Sequence, residues 1–395
     1  VIVIVNQSVG PKPSSGRSCS LDYLRSAITI LVVFLHAILA YPTWGRFYPA
    51  DYLHSTGPVI DPQKSAAFDL VPALLNNFFM ALMFFISGLF VWKSLATKGA
   101  ACFLKDRWRR LGIPYVLSLA VIMPLAYYPS FLLTGAQEDF FSYWCGWSWM
   151  SGPAWFLSML LGFNLLAALA FQSAGRSRRA VPEVLVTQPG AFFLAIVILS
   201  GAGLMPLMAM YGPYQWLQWG PFTIGQANRL ALYAVYFFAG VAVGARGLET
   251  TFLRQPGPLS RRWWAWLMAS AIAGLALVVA LGSVKVDATG LWTRPAGWWQ
   301  LGCCIVLYSA TLSLAFLALF LRFVHVRHPW IDNLSDNAYA IYLVHYPFVI
   351  WSQYVLLGSS LPATAKALVV FGVSLGLSWG TSVLLRSLPG VRAFL

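Results

Sequence analysis

The sequence predicts an all-α fold, a polytopic membrane helical bundle of about ten transmembrane helices, on three observations. Of 395 residues, 59% are hydrophobic and only 10% charged, and the mean hydropathy is +0.70. Soluble domains carry about 25% charged residues, so this chain lacks the polar surface to face water all round. The apolar residues also come in blocks of about 20, the length that crosses a hydrocarbon core of ~30 Å. Segments of about ten residues with alternating polarity, the mark of a membrane β-barrel, are not seen. Finally, the basic residues fall between the apolar blocks in a regular alternation.

Ten spans follow in order, at about 24–42, 70–92, 113–134, 154–172, 190–210, 230–246, 263–282, 300–321, 337–357 and 364–385. Residues 1–20 lack a sustained apolar core and read as a flexible cytoplasmic tail, neither signal peptide nor span. Residues 21–388 read as one transmembrane domain and 389–395 as a short cytoplasmic tail. The longest loop, about 43–69, is expected to cap the bundle on the non-cytoplasmic side and help admit a polar substrate.

Orientation follows from the loop charges. With the N-terminus inside, cytoplasmic segments hold 20 basic residues: Lys12, Arg17 and Arg25, the cluster from Lys93 to Arg110, Arg176, Arg178 and Arg179, the group from Arg246 to Arg262, Arg322 and Arg327, and Arg386 and Arg392. The other side holds six, Arg46, Lys64, Arg229, Lys285, Arg294 and Lys366. Cytoplasmic loops of membrane proteins carry the Lys/Arg excess, so both termini are expected in the cytoplasm. The net charge of +14 is then an interaction with anionic headgroups of the lipid bilayer, and nucleic acid is not an expected partner. The five cysteines show no metal-ligand spacing, and His325 and His328 alone do not make a zinc site, so no metal is expected. No phosphate-binding glycine loop, nucleophile constellation or Rossmann fingerprint is present.

The first span carries the chemistry. Eleven positions separate Arg25 from His36. At ~100° and 1.5 Å per residue they lie within about 20° on one helix face, roughly 16 Å apart, with Asp22 and Thr29 near the same stripe. An ionisable group at mid-membrane is costly and by default faces the protein interior or a watery cavity. Imidazole is also the side chain best suited to take a proton near neutral pH. His345, in the ninth span, has two readings: a part in the proton relay, or packing with a hydrogen bond to a tyrosine such as Tyr342 or Tyr346.

The segment Leu21-Asp22-Tyr23-Leu24-Arg25 through Val33-Phe34-Leu35-His36 resembles the opening helix of the bacterial acyltransferase-3 family, whose hallmark is an arginine and a histidine with ten residues between them. Four further fragments resemble that family in order. They are the aromatic stretch Asn77 to Gly88 ending in Ser87-Gly88, the paired arginines Arg107 and Arg110 within Phe103 to Pro114, Trp155-Phe156-Leu157, and the Tyr/His helix Leu334 to His345.

The resemblance implies an O-acyltransferase that moves an acyl group of acetyl or succinyl type from cytoplasmic acyl-CoA to a hydroxyl of an envelope carbohydrate or related acceptor. Acyl-CoA would be a co-substrate, with no bound cofactor. The chain is more similar to stand-alone members without an esterase-like domain, including those that modify periplasmic glucans, and an inner-membrane location is expected. In these terms His36 would be the general base, with Arg25 on the same catalytic stripe. Arg25, Arg107 and Arg110 would hold the CoA phosphates, and Asp22, Trp155, Tyr342 and His345 would be accessory. A rival reading is a transporter or flippase of a glycan or lipid that uses Arg25 and His36 as substrate or proton sites. The half-to-half repeats common in transporters are not found.

Overall fold

A computed structural model of the protein describes residues 18–174, 181–213, 215–219, 222–283 and 295–394. The N-terminal tail as far as residue 17, with Lys12 and Arg17, lies outside the described residues, as do Arg176, Arg178, Arg179, Lys285 and Arg294. Ten long helical segments run through the described residues: α1 (Cys19–Ile38), α2 (Ala66–Lys98), α3 (Ala100–Leu132), α4 (Gly152–Ser173), α5 (Pro189–Tyr211), α6 (Ala227–Arg246), α7 (Trp263–Ser283), α8 (Gly297–Phe323), α9 (Pro329–Leu356) and α10 (Ala363–Ser387). Nine of these are long and apolar enough to cross a membrane. The other, α9, is long enough at 28 residues. It is less apolar because it carries Tyr342, His345, Tyr346 and Gln353. That polarity is tolerated because these residues face protein rather than lipid: His345 and Gln353 are fully buried, and α9 packs between α1, α3 and α10.

Helix α1 is the axis of the site. Its buried stripe, Leu21, Leu24, Ile28, Val32 and Leu35, packs against α2, α8, α9 and α10. Helices α2 and α6 meet backbone to backbone through small residues, a common way for membrane helices to pack. A Cβ added at Gly88 would stand 2.2 Å from the Phe237 carbonyl oxygen, and one at Gly244 1.9 Å from that of Leu89. No side chain fits there.

Three features depart from the sequence reading. Arg107 and Arg110 do not lie in a loop before the third span. Helix α3 starts at Ala100 and carries them inside it, through a π-helical turn at Trp108–Gly112. A second π turn follows at Ser118–Ile122, and such turns are rare departures from regular helix. Second, a two-stranded antiparallel hairpin, β1 (Trp216–Trp219) and β2 (Phe222–Gln226), stands where only a loop was expected. Third, two of the six basic residues assigned to the opposite loops are core groups. Arg229 is 4% exposed and donates from Nη1 to the Asn76 carbonyl at 2.9 Å. Lys366, in the first turn of α10, is wholly buried and reaches both oxygens of the equally buried Asp61 at 2.7 and 3.0 Å.

That ion pair bears on the 43–69 loop, which folds over one face of the bundle. The Asp61 backbone N–H donates to Ala40, Ser130 Oγ to Pro58, and Thr43 Oγ1 and N–H to the Asp69 carboxylate. The same face carries a short helix, Phe140–Cys145, capped by the Asp139 carboxylate. The Ser142 N–H it accepts holds that carboxyl below its ordinary range. Phe141 and Trp144 of this helix are exposed, where aromatic residues suit a membrane interface. The opposite face carries Arg25, Arg107 and Arg110 and is called the basic face below; the face with the 43–69 loop is the lid face.

Candidate active site

The bundle holds two cavities stacked along α1. The outer one, about 990 Å³, opens under the lid face. Its floor includes His36 and Tyr346, and its walls include Tyr127, Trp155, residues 52–58 of the lid loop and Trp216, Leu217 and Gln218 of the hairpin. The inner one is narrow, about 40 Å³, and runs from Arg25 past Thr29 to Val32, between Met80, Met83, Phe156, Tyr339 and Tyr342. On α1, inner-cavity residues stop at Val32 and outer-cavity residues begin at His36, one turn on. Tyr342 lines the inner cavity, and its hydroxyl donates to the carbonyl of Pro153, which lines the outer one. This contact is part of a thin partition.

His36 stands at that partition, half-buried. Its Nδ1 lies 2.8 Å from the Val32 carbonyl. A carbonyl only accepts, so Nδ1 carries the proton and Nε2 the lone pair. Among the described residues no group hydrogen-bonds that Nε2. An imidazole whose free lone pair belongs to a cavity-lining residue is equipped to take a proton from a ligand there.

The second histidine meets the first. His345, wholly buried on α9, approaches with Nε2 3.3 Å from His36 Nδ1, and the rings are 5.0 Å apart. Its own Nδ1 lies 2.7 Å from the Tyr342 main-chain carbonyl, so the bond to a tyrosine expected from sequence goes to backbone rather than hydroxyl. Tyr346 sets its ring edge-on to His36 at 5.2 Å and approaches Tyr127 hydroxyl to hydroxyl at 3.5 Å. Gln353, 1% exposed, donates to the carbonyls of His36 and Ala37 at 2.9 and 3.2 Å. The end of α1 leaves these carbonyls without i→i+4 partners, that of His36 taking the Leu39 N–H at 3.4 Å instead.

The other expected residues divide. Arg25 lines the inner cavity. Arg107 and Arg110 stand three residues apart on α3. The Arg107 guanidinium stacks over Phe103 at 4.9 Å, and its buried Nε has no hydrogen-bond partner among the described residues. Arg110 is exposed, with its carbonyl held by the Tyr339 hydroxyl beside the inner cavity. Trp155 lies in the outer cavity and stacks on Tyr233 at 5.8 Å.

Asp22 is elsewhere. Its carboxylate meets Arg327 at 3.4 Å, and Arg327 also meets Asp332 at 2.9 Å. Burial opposes the charge of Arg327, but the Asp332 bond and the two carboxylates outweigh it and raise its pKa. Tyr23 donates to Asp332 at 3.0 Å and accepts the His328 N–H at 2.8 Å. Asp22 therefore ties the start of α1 to the start of α9.

Sequence reasoning missed Tyr127, Gln353 and Gln218, which forms a rim pair with His54 of the lid loop. The rim pair joins the lid loop to the hairpin at 2.9 Å, with Asp51 on the other ring nitrogen of His54 at 2.7 Å. Gln353, eight residues beyond His345 on a helix already flagged, was the one with a detectable signal: a polar side chain within a span.

These features define a class, a polytopic helical membrane protein with a cavity-facing imidazole at the partition between two chambers. The acyltransferase-3 family, described as an acyltransferase domain, matches residues 20–383, nearly the whole chain, and the chain belongs to that family. It is a membrane enzyme that transfers acyl groups. No curated protein matches it.

Proposed function

We propose that the enzyme moves an acetyl- or succinyl-type group from cytoplasmic acyl-CoA to a hydroxyl of an envelope carbohydrate, with His36 as general base. The observation that carries this reading is the Nε2 of His36, bare among the described residues, on a residue of the outer cavity, one helical turn from the end of the inner one. Acceptor and donor can then approach the same atom from opposite faces.

The acceptor hydroxyl gives its proton to Nε2 as its oxygen attacks the thioester carbonyl carbon. The tetrahedral intermediate collapses, the carbon–sulfur bond breaks, and the CoA thiolate recovers the proton from the imidazolium. Such base catalysis is worth ~10²–10⁴-fold. Arg25 in the inner cavity and Arg107 and Arg110 on α3 supply fixed cations for the CoA phosphates. The buried Nε of Arg107, unpartnered among the described residues, is a donor in want of an anion. The basic face is then the cytoplasmic one and the lid face the periplasmic side of the inner membrane, in line with the Lys/Arg excess. Aromatic faces (Tyr52, Trp155, Trp216) beside neutral polar groups (Thr56, Gln215, Gln218) suit a sugar acceptor in the outer cavity.

The test is turnover of acetyl-CoA and succinyl-CoA by purified protein, each with a glucose oligosaccharide, for wild type and His36→Ala. Wild type is expected to consume one of the two thioesters, and His36→Ala to lose at least ~10²-fold while remaining folded. Near-normal turnover in the variant refutes the base assignment. A wild type that translocates a glycan yet consumes no thioester refutes the acyl-CoA reading.

A further inference from the structure

We propose that His345 is a positioning residue for His36: its Nε2 lone pair accepts from Nδ1–H of His36, keeping the opposite nitrogen bare toward the outer cavity and steadying the imidazolium that forms there. This rests on the acyl-transfer reading above, in which His36 is the base.

The direction of each hydrogen bond is forced. The Tyr342 carbonyl can only accept, so His345 Nδ1 carries the proton and its Nε2 a lone pair. Likewise the Val32 carbonyl assigns the proton of His36 to Nδ1. The 3.3 Å contact between His36 Nδ1 and His345 Nε2 therefore runs from His36 to His345, sharing a proton that also points at Val32. His345 is fully buried, and His36 is the only partner of its Nε2 among the described residues. Without that contact a polar nitrogen would be buried unsatisfied, which is costly.

His345 does not line either cavity, so it touches neither substrate and acts through His36. The geometry is braced at both ends of the helix pair. Arg327 ties Asp22 of α1 to Asp332 of α9 near the basic face, and Gln353 ties α9 to the last carbonyls of α1 near the lid face. Between these braces the two rings are held at a fixed separation. When His36 takes a proton, its bond to His345 becomes charge-assisted, the stronger kind of hydrogen bond. The contribution is thus larger in the transition state than in the resting enzyme, and it should appear in kcat rather than in KM.

The full-length protein in lipid nanodiscs would be assayed as wild type, His345→Phe, His345→Gln and His36→Ala, with whichever of acetyl-CoA and succinyl-CoA the wild type consumes and a glucose oligosaccharide as acceptor. His345→Phe keeps a ring but removes the acceptor nitrogen. Loss of a hydrogen bond to a charged group predicts a kcat lower by ~10–100-fold, with both KM values within about twofold of wild type. In His345→Gln the amide oxygen can stand near the lost nitrogen, and kcat should recover by roughly tenfold. Where the phenyl ring does not fold, the smaller His345→Leu serves the same comparison. A kcat for the apolar variant within twofold of wild type, a loss confined to KM, or a glutamine variant no better than the apolar one overturns the inference. An inactive His36→Ala beside a normal His345→Phe overturns it alone, whereas a wild type that consumes no thioester overturns the parent reading as well.

Discussion

Replacing Lys366 with Met would leave the Asp61 carboxylate buried with, among the described residues, only one neutral donor to its side chain, the Gln63 N–H at 2.7 Å. Both partners are essentially unexposed, at 0% and 1%, so water does not screen the loss. Breaking a buried pair from one side typically costs about 3–5 kcal/mol, because an uncompensated charge remains. Removing both charges is far milder, since desolvation of the pair largely cancels its attraction. Asp61→Asn/Lys366→Met should therefore lie within about 1–2 kcal/mol of wild type. In thermal unfolding of detergent-solubilised protein, Lys366→Met should fall by on the order of 5–10 °C and the double variant should regain most of it. Since Asp61 pins the lid loop to the bundle, Lys366→Met should also expose residues 52–58 to proteolysis at temperatures where the helices stay folded. A Lys366→Met protein as stable as wild type, or a double variant no better than the single, would refute the argument that this pair anchors the lid.

Arg107→Gln with Arg110→Gln should weaken acyl-CoA binding at least tenfold by calorimetry in a protein that still folds, because two charge-assisted phosphate contacts are lost; unchanged affinity would return both arginines to lipid headgroups. Gly244→Ala should destabilise the bundle by about 1–3 kcal/mol, read as a lower unfolding temperature, since its methyl would meet the Leu89 carbonyl oxygen at 1.9 Å. Gly99→Ala has nothing within 4 Å to meet but a φ of 76°, so a milder loss from backbone strain alone is expected. A cysteine placed at Gly135 should react with a membrane-impermeant thiol reagent in intact, outer-membrane-permeabilised cells if the lid face is periplasmic. Reaction only after the inner membrane is opened would reverse the orientation.

Much of the site was legible because a helix converts sequence spacing into geometry at a fixed 100° and 1.5 Å per residue. Arg25 and His36 share a stripe of α1 by arithmetic alone, and the structure sets them at the inner and outer cavities along that stripe. The helical class was legible for a similar reason: lipid satisfies no backbone hydrogen bond, so long apolar blocks have few structures open to them. The extent of α3 was less so, because Lys105, Arg107, Arg109 and Arg110 read as loop while the helix runs straight through them.

What spacing along one segment cannot encode is which segments meet. His36 and His345 are 309 residues apart, and only the packing of α1 on α9 brings their nitrogens to 3.3 Å. Asp61 and Lys366, 305 residues apart, each read as a loop charge because neither shows its partner in the local sequence. Asp22 shares the stripe with Arg25 by register, yet Arg327 draws its carboxylate to the α9 side. The physical reason is common to all three. A buried polar group is tolerated only when a partner of matching charge or hydrogen-bonding sense reaches it, and that partner is chosen by tertiary packing, so the sequence alone determined which groups need partners and the fold decided which they have.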